Sequence, residues 1–160
     1  MPDDNCGGRV LALDPGKRRT GIALSDPSGT LASPLETVSL AVSALVEHVA
    51  ALVRLHGVGS IVIGLPVSST GEPGEIERLA RSLAGRLHDR LGIGVVLWNE
   101  SLSSWEAERI LAERPGRAAR GRVGGRAREA REKGEVDRLA AALILQDYLD
   151  ARAKGEPGQE

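Results

Sequence analysis

The order of apolar segments constrains what this chain can fold into more than any other feature. Residues 9–13, 20–25 and 30–37 are short apolar-rich runs separated by turn residues, and Asp26-Pro27-Ser28-Gly29 reads as a tight turn. Such a series predicts an antiparallel meander. Residues 40–56 then set Leu45, Val49, Leu52 and Val53 at spacings of three and four, the pattern of an amphipathic helix, and Gly57 closes it. Residues 60–65 are nearly all apolar and β-branched, as a buried strand would be. Pro73 and Gly74 open a second helix with Ile76, Leu79, Ala80, Leu83 and Leu87 on one face, running to about Leu91. Residues 95–98 read as another buried strand.

Ser103 and Glu106 form a capping box that starts a short helix through about Ala112, ended by Pro115-Gly116. Residues 114–133 hold seven Arg and one Lys against Glu129 and Glu132, with Gly interspersed. That stretch reads either as a solvated loop or as a binder of backbone phosphates. Glu135 begins a final helix, dense in Ala and Leu, that runs to about Ala151. Three strands followed by helix, strand, helix, strand, helix, helix is an α/β order, with each helix returning the chain to start a parallel strand. Right-handed crossovers place both later strands on one side of the first. The expected sheet is mixed and five-stranded, an antiparallel three-strand meander plus two parallel strands, flanked by helices. One domain covers residues 9–152 with an Arg/Gly-rich loop at about 114–134, and residues 1–8 and 153–160 read as flexible ends.

A chain of 160 residues can bury roughly two-thirds of its unfolded surface without a partner. Its 21 basic and 22 acidic residues nearly cancel, so net charge points to neither nucleic acid nor membrane. Cys6 is the only cysteine, which excludes an intrachain disulfide and a thiolate metal cluster and fits a reducing compartment. No apolar stretch reaches the length of a membrane span, and residues 1–8 lack the pattern of a signal peptide. The expectation is a soluble, cytoplasmic protein with no membrane partner. Aromatic residues are limited to Trp98, Trp105 and Tyr148, so stacking on unpaired bases cannot be a main mode of binding.

Three acids fall on one edge of this expected sheet. Asp14 ends the run Val10-Leu11-Ala12-Leu13 and is followed by Pro15-Gly16 and the basic trio Lys17-Arg18-Arg19. Glu100 comes just past the strand at 95–98. Asp137 lies in the first turn of the last helix, with Ala140, Ala141 and Ile144 on its face. Strands about 4.8 Å apart, with one between, separate Asp14 from Glu100 by roughly 10 Å, which side chains and bridging metals can span. Each acid also has a plainer role: Asp14 as a turn residue, Glu100 as a helix cap, Asp137 as a partner of the helix dipole. Together they form a cluster of like charges with no nearby opposite charges expected to satisfy all of them, and such a cluster needs a cation. An all-oxygen site favours Mg²⁺ or Mn²⁺ over zinc. His48, His56 and His88 have no ligand spacing and fall near helix surfaces, and Gly64-Leu65-Pro66 with Gly71 and Gly74 gives a flexible loop at the same edge.

The residues Asp14-Pro15-Gly16-Lys17-Arg18-Arg19-Thr20-Gly21-Ile22-Ala23, Ser25-Asp26, Pro34-Leu35-Glu36-Thr37, Gly64-Leu65-Pro66, Glu100 with Leu102-Ser103-Ser104, and Val136-Asp137 leading to Ala140-Ala141 and Ile144-Leu145-Gln146 resemble the bacterial YqgF/RuvX family of RNase H-like proteins. The likeness runs from about Arg9 to Leu149 in order and spacing. It implies an RNase H-like sheet and a nuclease that processes the 5′ end of pre-16S ribosomal RNA or resolves Holliday junctions. The family's acidic triad carries over onto Asp14, Glu100 and Asp137 as catalytic residues and metal ligands. Asn99, Ser103 and Ser104 would stand behind the metal site. The family pattern Asp-Glu-Arg reads Asn99-Glu100-Ser101 here, losing one carboxylate and one guanidinium.

The implied mechanism is phosphodiester hydrolysis with one or two divalent ions that position water and offset charge on the leaving oxygen. Lys17, Arg18, Arg19, Arg117, Arg120, Arg122 and Arg126 are the expected contacts to pre-rRNA or branched DNA. Junction resolution would further require a symmetric homodimer. Two rival readings differ in class. One is a nucleic-acid-binding module that keeps the fold with little cleavage, motivated by Asn99 and Ser101. The other is an ATP-binding phosphotransferase, since sugar kinases also begin with a strand, Asp, x, Gly and a hairpin, although those bury ATP between two such domains.

Overall fold

A computed structural model describes residues 8–66, 74–100 and 125–155. Five strands, β1 (Arg9–Pro15), β2 (Thr20–Ser25), β3 (Ala32–Val38), β4 (Val58–Pro66) and β5 (Gly94–Glu100), form one sheet in the order β3-β2-β1-β4-β5. β1, β2 and β3 are the antiparallel meander, and β4 and β5 continue from β1 in parallel. The mixed five-stranded sheet expected from the segment order is therefore present. Among the described residues, the helices are α1 (Val42–His56), α2 (Glu75–Leu91) and α3 (Gly125–Ala153).

Alternation along the strands divides the core in two. Leu11, Leu13, Ile22, Ile61 and Ile63 pack with Leu45 and Val49 of α1 and Leu83 and Leu87 of α2. Val10, Ala12, Ala23 and Val62 pack with Ala141, Ile144 and Leu145 of α3 on the opposite face. This two-sided burial is why β1 and β4 read as continuous apolar runs rather than alternating ones. α1 ends as expected at Gly57, whose φ of 66° is left-handed backbone and whose N–H reaches the Val53 carbonyl.

α3 differs from expectation. It begins at Gly125 rather than Glu135, so residues 125–134 of the expected Arg/Gly-rich loop are helical. Two features explain the difference. The segment after Gly125 is rich in Ala, Arg and Glu, all good helix formers, and a single interior Gly134 costs only about 1 kcal/mol against Ala. Gly134 also gains a tertiary anchor, because Thr37 Oγ1 donates a 2.5 Å hydrogen bond to its carbonyl. The expected capping-box helix at Ser103 lies outside the described residues.

β3 starts at Ala32 rather than residue 30, for a local electrostatic reason. Asp26 Oδ1 accepts hydrogen bonds from the amides of Thr30 (2.8 Å) and Leu31 (3.1 Å), and Oδ2 accepts one from Ser28 Oγ (2.6 Å). The turn thus claims two amides that would otherwise enter the ladder. The Ser28 hydroxyl, with the Leu31 and Thr30 amides, holds the Asp26 carboxyl well below the usual carboxylate range. At the same end of the strand, Gln146 of α3 stitches it down: its Oε1 accepts from Ala32 N (2.9 Å) and its Nε2 donates to Thr30 O (3.0 Å).

Candidate active site

Asp14 lies inside β1 rather than beyond it, with Gly21 of β2 as its ladder partner. Cα atoms of such partners stand roughly 4.5–5.5 Å apart. Val10 and Ala12 face α3, and Asp14 continues their parity, so the pleat sends its half-buried carboxylate toward the same helix.

Gly21 determines how close that helix comes. A Cβ at this position would run into the carbonyl oxygen of Asp137, so the α3 backbone rests directly on β2. Only a residue without a side chain permits that approach. Asp137 is thereby set one strand away from Asp14 on the same face of the sheet. Its own face is as expected, with Ala140, Ala141 and Ile144 buried below it.

Glu100 is the last residue of β5, opposite Pro66. β4 alone separates β5 from β1, which fixes the backbones of the Asp14 and Glu100 strands about 10 Å apart. Asn99, half-buried, precedes it opposite Leu65. Ser103, Ser104, Arg117, Arg120 and Arg122 lie outside the described residues, and Arg126 falls in the first turn of α3.

The basic trio divides. Gly16 N donates to Arg19 O (2.8 Å), closing the β1–β2 turn so that Arg19 leads into β2. Arg19 Nε then donates to Asp137 Oδ2 at 2.7 Å, with side chains about one-third exposed. Lys17 and Arg18 are exposed, Lys17 4.0 Å from Glu75. Sequence spacing alone predicts too few opposite charges nearby to satisfy all three acids. Asp137 has one, because the hairpin brings back a cation that sequence distance hides. Partial exposure and screening limit this pair to about 1 kcal/mol of stability.

Among the described residues, no three His, Cys, Asp or Glu side chains gather closely enough to hold a metal ion. Asp14 and Asp137 nevertheless supply oxygen donors from one face, and a guanidinium is the cation against Asp137. Carboxylate oxygens fit a hard divalent ion such as Mg²⁺ or Mn²⁺. The histidines stay apart from this edge: His48 contacts Glu36, and His88 contacts the Ile93 carbonyl. No described helix is long and apolar enough to cross a membrane.

Sequence reasoning missed the work of Gly21, although an isolated Gly within a strand signals a close backbone approach. It also missed Arg138, which lies beside Asp137 and has no motif of its own.

Comparison with known proteins covers the same stretch of the chain. The family described as "RuvX: Holliday junction resolvase" matches residues 8–151. A protein of Pelotomaculum thermopropionicum named "Putative pre-16S rRNA nuclease" is 38% identical over 154 residues, covering 95% of this chain and 92% of its own. One of the same name from Syntrophus aciditrophicus is 44% identical over 145 residues, covering 89% of each. In structure, Thermus thermophilus RuvC, solved in complex with a Holliday junction substrate, aligns at 14% identity with a TM-score of 0.57, covering 95% of this chain and 99% of its own. That likeness establishes an RNase H-like, RuvC-type fold. With a family match across nearly the whole described fold and relatives well above 30% identity, the chain belongs to the YqgF/RuvX family.

Proposed function

We propose that the protein is a divalent-metal-dependent endonuclease that hydrolyses phosphodiesters in structured nucleic acid, with the 5′ end of pre-16S ribosomal RNA as the leading substrate. The observation that carries this reading is the contact of Gly21 with the Asp137 backbone, which sets Asp137 across one ladder position from Asp14. The names of the curated relatives support the choice of ribosomal RNA. The family description supports Holliday junctions as the second substrate, which would also require two active sites in a symmetric homodimer.

Asp14, Glu100 and Asp137 would hold Mg²⁺ or Mn²⁺, which when bound activates water and offsets charge on the leaving oxygen. The chain's own residues do the rest. Gly21 and the packed face of α3 fix the spacing of Asp14 and Asp137 before any ligand arrives, so little reorganisation is needed. Arg19 neutralises Asp137 in the absence of other cations. Once released, its planar guanidinium suits a non-bridging phosphate oxygen.

The test is cleavage of a labelled pre-16S 5′-end RNA, a four-way DNA junction and a plain duplex in Mg²⁺, in Mn²⁺ and in EDTA. Metal-dependent cutting of the RNA or the junction is expected. Retention of these substrates without cutting in any metal would leave only a binding module.

A further inference from the structure

Beside the acids, a cavity of about 430 Å³ opens between the end of β3 and α3. Its walls include Arg19 from the β1–β2 turn, Thr37 and Val38 from the end of β3 with Ser39 just beyond, and Gly134 and Arg138 from α3. The size falls within the roughly 300–1,000 Å³ of small-ligand clefts, enough for a sugar-phosphate unit rather than a lone ion.

The hydrogen bonds already made here decide what the cavity can take. Thr37 Oγ1 donates to Gly134 O at 2.5 Å, and Ser39 Oγ donates to Arg18 O at 2.9 Å. Both hydroxyl protons are spent on backbone carbonyls, so neither hydroxyl can donate to an incoming anion. The guanidiniums remain. A guanidinium carries five N–H donors, and the Asp137 bond engages Arg19 through Nε. Arg138 faces Glu135, also in the wall, at 3.7 Å, too long for a hydrogen bond, with both side chains about 40% exposed. Such an exposed pair separates readily. Two guanidiniums, one of them only loosely paired, are suited to phosphate oxygens.

Arg19 belongs to both places, since it bonds Asp137 and lines the cavity. The cavity therefore shares one wall residue with the acids. We propose that this groove binds the sugar-phosphate unit next to the one being cut, with Arg138 as its phosphate anchor and Arg19 shared between groove and acids. This rests on the nuclease reading above and adds a second binding position that fixes how the strand runs across the site.

Binding is measured separately from cutting, by fluorescence anisotropy of a labelled single-stranded RNA and its DNA counterpart in EDTA, across a salt series. Arg138→Gln is expected to weaken binding to both strands about tenfold, as loss of a charge-assisted hydrogen bond does. It should also flatten the slope of log affinity against log salt by about 0.7, the value for one lost phosphate contact on a single strand. Glu135→Gln is expected to do the reverse and tighten binding severalfold by removing the competing carboxylate. Arg81→Gln, the same charge change in an i,i+4 pair on α2, should leave the slope as it is. An unchanged slope in Arg138→Gln, or weaker binding in Glu135→Gln, in variants that melt like wild type, would overturn the proposal. Failure of wild type to bind either strand would overturn it as well. Binding that obeys these expectations, in a protein that cuts nothing, would instead remove the nuclease reading and leave the groove standing.

Discussion

Arg19 and Asp137, 118 positions apart in the chain, are joined by a 2.7 Å hydrogen bond from Nε to Oδ2 that ties the first hairpin to α3. One carboxylate thus has two candidate cations, the guanidinium and a divalent ion. Arg19→Met keeps the aliphatic stem and removes the competitor. The expected result is Mn²⁺ binding about fivefold tighter, from the release of about 1 kcal/mol of competing attraction, together with weaker cleavage because a phosphate partner is lost. Isothermal titration with Mn²⁺ and a cleavage assay check the two arms. Looser Mn²⁺ binding would contradict the competition.

Gly21→Ala forces a methyl group into the Asp137 carbonyl, and the atom in the way is backbone rather than a side-chain tip. α3 must move off the sheet, at a cost of about 1–3 kcal/mol, and the Asp14 to Asp137 spacing goes with it. A lower melting temperature and loss of cleavage are expected together. Gly85→Ala is the control. That glycine lies on the exposed face of α2 with open space around it, so the same change should stabilise by about 0.5–1 kcal/mol.

The β2–β3 turn gives a pH signature. Hydrogen bonds to the Asp26 carboxylate lower its folded pKa from an ordinary 3.8, so the unfolded chain takes up the proton first as pH falls. Its contribution is complete above that ordinary value and shrinks steadily as pH drops below it toward the lowered folded one. Asp26→Asn should therefore be less stable than wild type near neutrality, and the gap should narrow in acid. Urea midpoints of the two proteins over a series from neutral pH into acid read this directly. A gap that stays constant would mean that the carboxylate charge is irrelevant to the turn.

Gln146 is the side chain that holds the start of β3 to α3. Gln146→Leu leaves the Ala32 amide and the Thr30 carbonyl without this partner, for a loss of about 1–2 kcal/mol. Hydrogen exchange should quicken at Ala32 more than in the central strand β1. Equal protection in both proteins would show that the stitch contributes nothing.

Asp14 and Asp137 were legible because local rules place them: an acid closing an apolar run, and an acid on a helix face defined by Ala140, Ala141 and Ile144. Strand order was legible because crossover handedness leaves few alternatives. The Arg19 to Asp137 pair was not, since no local spacing encodes a contact between a hairpin and a helix at the other end of the chain. The start of α3 was misread because Gly134 and the dense Arg look like loop chemistry. The Thr37 bond to the Gly134 carbonyl, which favours helix there, exists only in the folded protein. The groove at Arg138 depends likewise on how α3 registers against β3.

In the proposed hydrolysis Asp14 acts together with Asp137 and Glu100 on one phosphodiester. The most direct test of this joint role is cleavage of the pre-16S 5′-end RNA and the four-way junction by wild type and Asp14→Asn side by side in Mg²⁺ and Mn²⁺, with circular dichroism melts of both. Wild type is expected to cut, and a variant that still melts cooperatively is expected not to. Full cleavage by Asp14→Asn would contradict that role.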